Sequence, residues 1–280
     1  MTERQSQMAE RVARQARIDH QCVEPTWRTR VDIGLVEMCF AVPVPASPVV
    51  LLPELRIRSL LQTLLECFPR AGKMMIVDAM SHRFEALRSE FPSTQPSLYF
   101  SAQDPAALTY STDIFDYVVS EIGLATLSRS GVIFPEYRRV LKPGGAFIFS
   151  VPLAGSFPAY FDILEECLMR LCPAESAAIM ASLQAQMQRE NLLATLRNHG
   201  FIVDGQDETN FSLSFQNVEQ LLFSTLVESH FLGFCLGLTA ARIDARSVLT
   251  LLVRAFHHYF QGEMLTVPMR IGQFSARKQG

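Results

Sequence analysis

Glu136-Tyr137-Arg138-Arg139-Val140-Leu141-Lys142-Pro143-Gly144-Gly145-Ala146-Phe147-Ile148-Phe149-Ser150 is the stretch that decides the fold. Pro143 cannot continue a helix, and the paired glycines after it permit a tight turn. Beyond the turn, Ala146 to Val151 is an apolar run of the kind a buried strand shows. A helix that turns directly into a central strand is half of an alternating strand and helix pattern.

Upstream the same alternation recurs. Val49-Val50-Leu51-Leu52 is a short all-apolar run, and Ile57, Leu60, Leu61, Leu64, Leu65 and Phe68 then repeat at three and four residues along one helix face. Met74 to Val77 ends at Asp78, with Phe84, Leu87 and Phe91 marking the helix behind it; Leu98 to Phe100 and Phe115 to Val119 supply two more strands. Downstream, Phe157 to about Arg197 is helical throughout, too long for one crossover, and reads as an inserted helical hairpin. Leu192, Leu193 and Leu196 lead through Gly200 into the strand Phe201-Ile202-Val203. Helices over about Val218 to Leu232 and Arg246 to Phe260 precede a last strand over Leu265 to Ala276. Strands spaced by helices imply right-handed crossovers and a doubly wound α/β fold, with a mostly parallel seven-stranded sheet that binds ligands at the carboxyl ends of its strands. Met8, Val12 and Ala16, then Val31, Leu35 and Met38, add N-terminal helices before Pro43, Pro45 and Pro48. The expected organisation is a helical segment over 1–45 and one α/β domain over 46–280, with the helical insertion at about 155–197 and closing strands within 198–280.

With 280 residues, 49% of them apolar, the chain can bury a full core. A net charge of −3 with scattered Lys and Arg leaves no footprint for nucleic acid. Cys22, Cys39, Cys67, Cys167, Cys172 and Cys235 form no CxxC pair, as expected of reduced thiols in a cytoplasmic protein. The window Leu221 to Ala240 is broken by Glu228 and His230, so a buried helix is expected there and no membrane span.

Over roughly Val49 to Leu153 the sequence resembles the class I S-adenosylmethionine (SAM) methyltransferases of the type 11 group, whose "E-x-R-V-L-K-P-G-G" run is matched by Glu136 to Gly145. Asp78 with Ser81, Phe84, Glu85, Ala86 and Arg88 is similar to the family's stretch after strand two. Gln103-Asp104-Pro105-Ala106-Ala107-Leu108 is similar to its "G-D-A-x-x-L", and Phe115-Asp116-Tyr117-Val118-Val119-Ser120 to its "F-D-x-V-x-S". The resemblance implies SAM as cofactor, with Asp78 and its neighbour Ala79 at the ribose, Asp104 and Pro105 at the adenine, and Ser120 where the fourth strand opens toward the site. Asp116 is expected to be structural. An aspartate at a strand end or before a proline also serves as a helix cap or turn residue.

The glycine-rich loop departs from the family. Counting back from Phe68-Pro69 lays "V-L-D-x-G-x-G-x-G" on Val50 to Arg58, so Leu52 replaces the acid and Glu54, Arg56 and Arg58 replace the glycines. Side chains there occupy space the methionine part of SAM would use. The cofactor is therefore expected to be weakly held or lost. Either the chain is a pseudo-enzyme, or Arg56 or Arg58 substitutes for the lost donors.

Glu121, Tyr160 and His230 are the candidates for substrate contact. His257 and His258, about 100° apart on a helix, make no metal pair, and no metal site is expected. The final segment and Leu192 to Phe201 look like the tail of biotin-synthesis methyltransferases, which implies a small or carrier-bound acceptor. Two functions stay open: methyl transfer to such an acceptor, or a non-catalytic scaffold in which the inserted helices bind a protein partner.

Overall fold

Seven strands form one sheet in the order β3-β2-β1-β4-β5-β7-β6. The computed structural model describes residues 25–54, 58–69, 71–79, 81, 83–91, 96–234, 244–260 and 264–280. The helix expected around Met8 to Ala16 lies outside them. The strands are β1 (Val49–Pro53), β2 (Lys73–Asp78), β3 (Ser97–Ala102), β4 (Phe115–Glu121), β5 (Leu141–Pro152), β6 (Phe201–Phe215) and β7 (Leu265–Lys278). β1 to β5 run parallel, and β7 enters antiparallel between β5 and β6. The doubly wound reading holds.

The order reverses between β1 and β4, which open a crevice at their carboxyl ends. That junction pairs only at Val50↔Tyr117 and Leu51↔Val118. Asp116 reinforces it, because its carboxylate accepts the Val49 N–H at 2.8 Å and the Lys142 ammonium at 2.8 Å. The Pro-Gly-Gly turn is a bulge inside β5, since Phe115 pairs with Leu141 and Tyr117 already with Ala146. Gly144, at φ +75°, takes the left-handed backbone this excursion needs.

One face of the sheet carries Phe147, Phe149 and Phe274, packed in a stack and covered by Phe134. Phe134 lies on α5 (Ser130–Val140), the helix that precedes β5. On the other face lies α1 (Pro25–Phe40), which buries Val31 and Leu35. Gln273 of β7 donates to the Val31 carbonyl at 2.7 Å, and Gly34 leaves room for it: a Cβ there would meet the amide nitrogen at 2.7 Å. The remaining helices in chain order are α2 (Arg58–Cys67), α3 (Arg83–Glu90) and α4 (Leu124–Leu127), then α6 (Pro158–Leu171), α7 (Ser176–Gln186), α8 (Arg189–Asn198), α9 (Val218–Leu222), α10 (Thr225–Val227) and α11 (Ala245–Tyr259). Helices α6, α7 and α8 fill the stretch expected as a helical insertion, and α8 leads into β6.

Two sequence expectations change in detail. The strand at Phe201 continues to Phe215, because β7 supplies partners for the Gly205 to Glu208 run beyond a bulge at Asp204. The single helix expected over Val218 to Leu232 is α9, α10 and a π-helical turn over Glu228–Leu232.

Within the deciding stretch, Glu136 and Arg139 form a clamp. The guanidinium donates to both Glu136 oxygens and to the carbonyls of Leu108 and Tyr110, while Glu136 accepts the Leu108 N–H at 2.8 Å. Hydrogen bonding from Arg139 holds the Glu136 carboxyl below its ordinary value of 4.5. A carboxyl depressed in the folded state contributes stability that is present above the ordinary value and fades as pH falls below it. Chemical denaturation between pH 6 and pH 3.5 is therefore expected to show a steeper acid loss in the native chain than in Arg139→Leu, which is also less stable at pH 6 by about 1–3 kcal/mol. Parallel stability curves would contradict the clamp.

Candidate functional site at the carboxyl ends of the strands

Four strand ends converge on the crevice. β1 ends at Pro53, β2 at Asp78, β3 at Ala102 and β4 at Glu121. The register sets them side by side, with Pro53 opposite Val77, Asp78 opposite Ala102 and Glu121 opposite Ser150. Leu52 is fully buried in the core and turns no polar group toward the loop.

Glu54, the first residue after β1, has φ +50°. That is the backbone region glycine favours. Its N–H donates to the Val77 carbonyl at 2.6 Å, which ties the loop to β2. Its carboxylate accepts the hydroxyl of Thr126 on α4 at 2.6 Å. The Glu54 side chain therefore reaches from β1 across to the segment that follows β4. Arg56 lies outside the described residues, as does the side chain of Arg58.

Asp78 is 95% removed from solvent at the end of β2, and its carbonyl accepts the Gln103 N–H at 3.2 Å. Ala79 follows it, exposed. Asp104 accepts the Ala106 N–H at 3.0 Å, the local turn that an aspartate before Pro105 makes, and Pro105 itself is buried. Asp104 is also gripped by Arg129, whose Nη2 lies 2.9 Å and 3.1 Å from its two carboxylate oxygens. Burial pushes the Asp104 carboxyl up, but the Ala106 amide and Arg129 outweigh it and hold the group below its ordinary value. Arg129 was not legible as a site residue, because a lone arginine in Leu127-Ser128-Arg129-Ser130 looks like any solvated loop cation.

Ser120 is buried near the end of β4, and its hydroxyl has no hydrogen-bond partner among the described residues. Glu121 is buried next to it. Tyr160 and His230 lie in the helical layer: Tyr160 is fully buried in an aromatic group with Phe157, Phe161 and Phe231, and its hydroxyl donates to the Phe231 carbonyl at 3.0 Å. His230 Nδ1 is 3.1 Å from the Leu226 carbonyl. The structure thus gathers Glu54, Asp78, Asp104, Ser120 and Glu121 at the strand ends and sets Tyr160 and His230 in the helical layer. Two cavities, about 170 and 210 Å³, open along β6 and α8 and share Gln206. Neither is lined by any of those five residues, and each is smaller than the roughly 300–1,000 Å³ of ordinary ligand pockets. No group of metal-binding side chains occurs among the described residues, and no helix among them is long and apolar enough to cross a membrane.

Comparisons with known proteins agree with this architecture. A family model described as a methyltransferase domain matches residues 61–149. Demethylmenaquinone methyltransferase of Renibacterium salmoninarum is 35% identical over 83 residues, 29% of this chain and 34% of that protein. The chain thus matches about a third of the length of this curated relative. Among solved structures, a Bacillus halodurans protein aligns with a TM-score of 0.55 at 13% identity, covering 88% of this chain and 99% of that one. The [4+2]-cyclase SpnF aligns at 0.51 and 16% identity, over 89% and 80% of the two chains. A SAM-dependent methyltransferase of Methanosarcina mazei aligns at 0.50 and 10% identity, over 84% and 94%.

The backbone at residue 54 is open to a direct test. Glu54→Gly relieves the left-handed strain, whereas Glu54→Ala keeps it, and both lose the bond to Thr126. The glycine variant is expected to be the more stable of the two by about 1 kcal/mol in urea. Equal midpoints would show that residue 54 is not left-handed in solution.

Proposed function

We propose that this chain is a member of the class I SAM-dependent methyltransferases that has kept the fold while filling the cofactor crevice with its own side chains. It then holds SAM weakly or not at all, and works as a binding scaffold. The observation that carries this reading is Glu54: a side chain in a left-handed position, its carboxylate bonded to Thr126, where bare backbone would have to face the methionine end of the cofactor. A fixed carboxylate there also opposes the carboxylate that SAM brings. At the nucleoside end, Asp104 is already paired with Arg129. The residues of this crevice do not fit SAM.

A fold of this kind does not dictate methyl transfer, as a structural neighbour named for a [4+2] cyclisation illustrates. In the scaffold reading the inserted helices over 158–198 engage a protein partner. One observation favours the second reading, in which the chain methylates a small or carrier-bound acceptor: Asp78 remains buried at the end of β2, and the buried Ser120 hydroxyl near the end of β4 has no partner among the described residues.

Titration calorimetry and thermal unfolding with SAM and with its demethylated product separate the two. No heat and no rise in Tm at millimolar ligand is the expected result. Submillimolar binding of either compound would establish the methyltransferase reading instead, and Asp78→Ala should then abolish it.

A further inference from the structure

We infer that the groove between helix α8 and the edge strand β6 docks an extended, acidic segment of a partner protein, which adds to β6 as a further strand and sets two carboxylates on Arg189 and Arg197. The inference rests on the scaffold reading proposed above and names its surface and the chemistry of its partner.

β6 ends the sheet, and over residues 202–208 its outer edge has no backbone partner among the described residues. Such an edge is a template for another strand. Arg189, Leu193 and Arg197 are spaced by four along α8 and so form one stripe on the helix. The stripe lines the two cavities that share Gln206: Leu193 and Arg197 stand over the first with Asp204, and Arg189 over the second with Glu208. Helix and strand therefore run in opposite directions along one groove. Gln206 lies opposite Phe274 in the ladder, so its side chain is on the face that carries the aromatic stack. Asp207 lies opposite Gln273, whose amide bonds to α1, and its carboxylate belongs to the other face.

The groove holds more cations than anions at both ends. Glu208 is already paired with Arg270, and Asp204 with Arg277. Arg189 and Arg197 bring a second guanidinium to each end; both are exposed, and neither makes a hydrogen bond or ion pair among the described residues. Glu190 follows Arg189 but points about 100° away around the helix. The spacing fits a strand. Eight residues of helix separate the two arginines by about 12 Å along the axis. Residues i and i+4 of a strand share a face and lie about 13 Å apart. A strand added to β6 thus carries acidic side chains at i and i+4 onto the two guanidiniums, with an apolar residue at i+2 against Leu193. Main-chain bonds to the edge supply the affinity, and the paired carboxylates supply the selection.

The test uses the full chain and fluorescent peptides built of Thr and Val: one with Glu at i and i+4, one with Gln at both places, and one with Glu at i and i+3, which puts the acids on opposite faces. Anisotropy is read with the native protein, Arg189→Gln, Arg197→Gln and the double variant. The native chain is expected to prefer the i, i+4 Glu peptide over the other two by about tenfold, each single variant to lose about threefold, and the double variant to lose the preference. Both arginines are exposed and unbonded, so all variants should keep the native Tm. Hydrogen exchange should slow at amides within residues 202–208 when that peptide binds. Equal binding of the three peptides, variants that bind like the native chain, or no slowing at those amides overturns the docking site. Absence of any peptide binding overturns it too, and leaves the scaffold reading to the SAM titration above. Submillimolar SAM binding with the peptide preference intact sinks the scaffold reading and keeps the groove.

Discussion

The Asp116 carboxylate joins three strands where the sheet order turns from β3-β2-β1 to β4-β5. β1 and β4 share few ladder positions, so a side chain that accepts the first N–H of β1 lengthens their junction by a residue. The same carboxylate holds Lys142 at the mouth of the β5 bulge, which keeps that excursion from pulling β5 out of register with β4. If the junction slipped, every strand end in the crevice would move relative to the others. The positions of Glu54, Asp78 and Ser120 are thus consequences of a fastening at the opposite end of the strands.

The crevice records a division between scaffold and site. The Glu136–Arg139 clamp, the Pro-Gly-Gly excursion and the aromatic stack over β5 retain the residues that resemble the family, and each has a structural task independent of any ligand. The glycine loop has only a ligand-facing task, and it is there that the residues differ. Thr126 and Arg129 satisfy the Glu54 and Asp104 carboxylates from within the chain, as polar groups away from bulk water must find partners.

What could be read from the sequence followed how strongly each segment's own residues constrained it. Val49 to Leu52 and Ala146 to Val151 can only be buried strands, and Pro143 with its glycines can only interrupt a helix. The far half of β6 was illegible because Asp204-Gly205-Gln206-Asp207-Glu208 is loop-like by composition, and only pairing with β7, distant in sequence, makes it a strand. Arg129 was missed for a similar reason, because its partner lies 25 residues away across the sheet. Tyr160 and His230 drew notice as polar groups on apolar helices, a pattern that pocket residues and satisfied core residues share; the bonds to Phe231 and Leu226 identify them as packed within the helical layer.

Beyond the last row that β5 shares, β6 and β7 continue as a two-stranded ribbon, with Arg270 to Leu265 opposite Asn210 to Phe215. An isolated ribbon is marginal in water, and this one buries Leu265, Val267, Met269, Leu213 and Phe215. Its hydrophobic side needs a cover, and α9 is among the elements that pack on it. Ribbon and helices must then melt together, as one cooperative block beside the parallel strands.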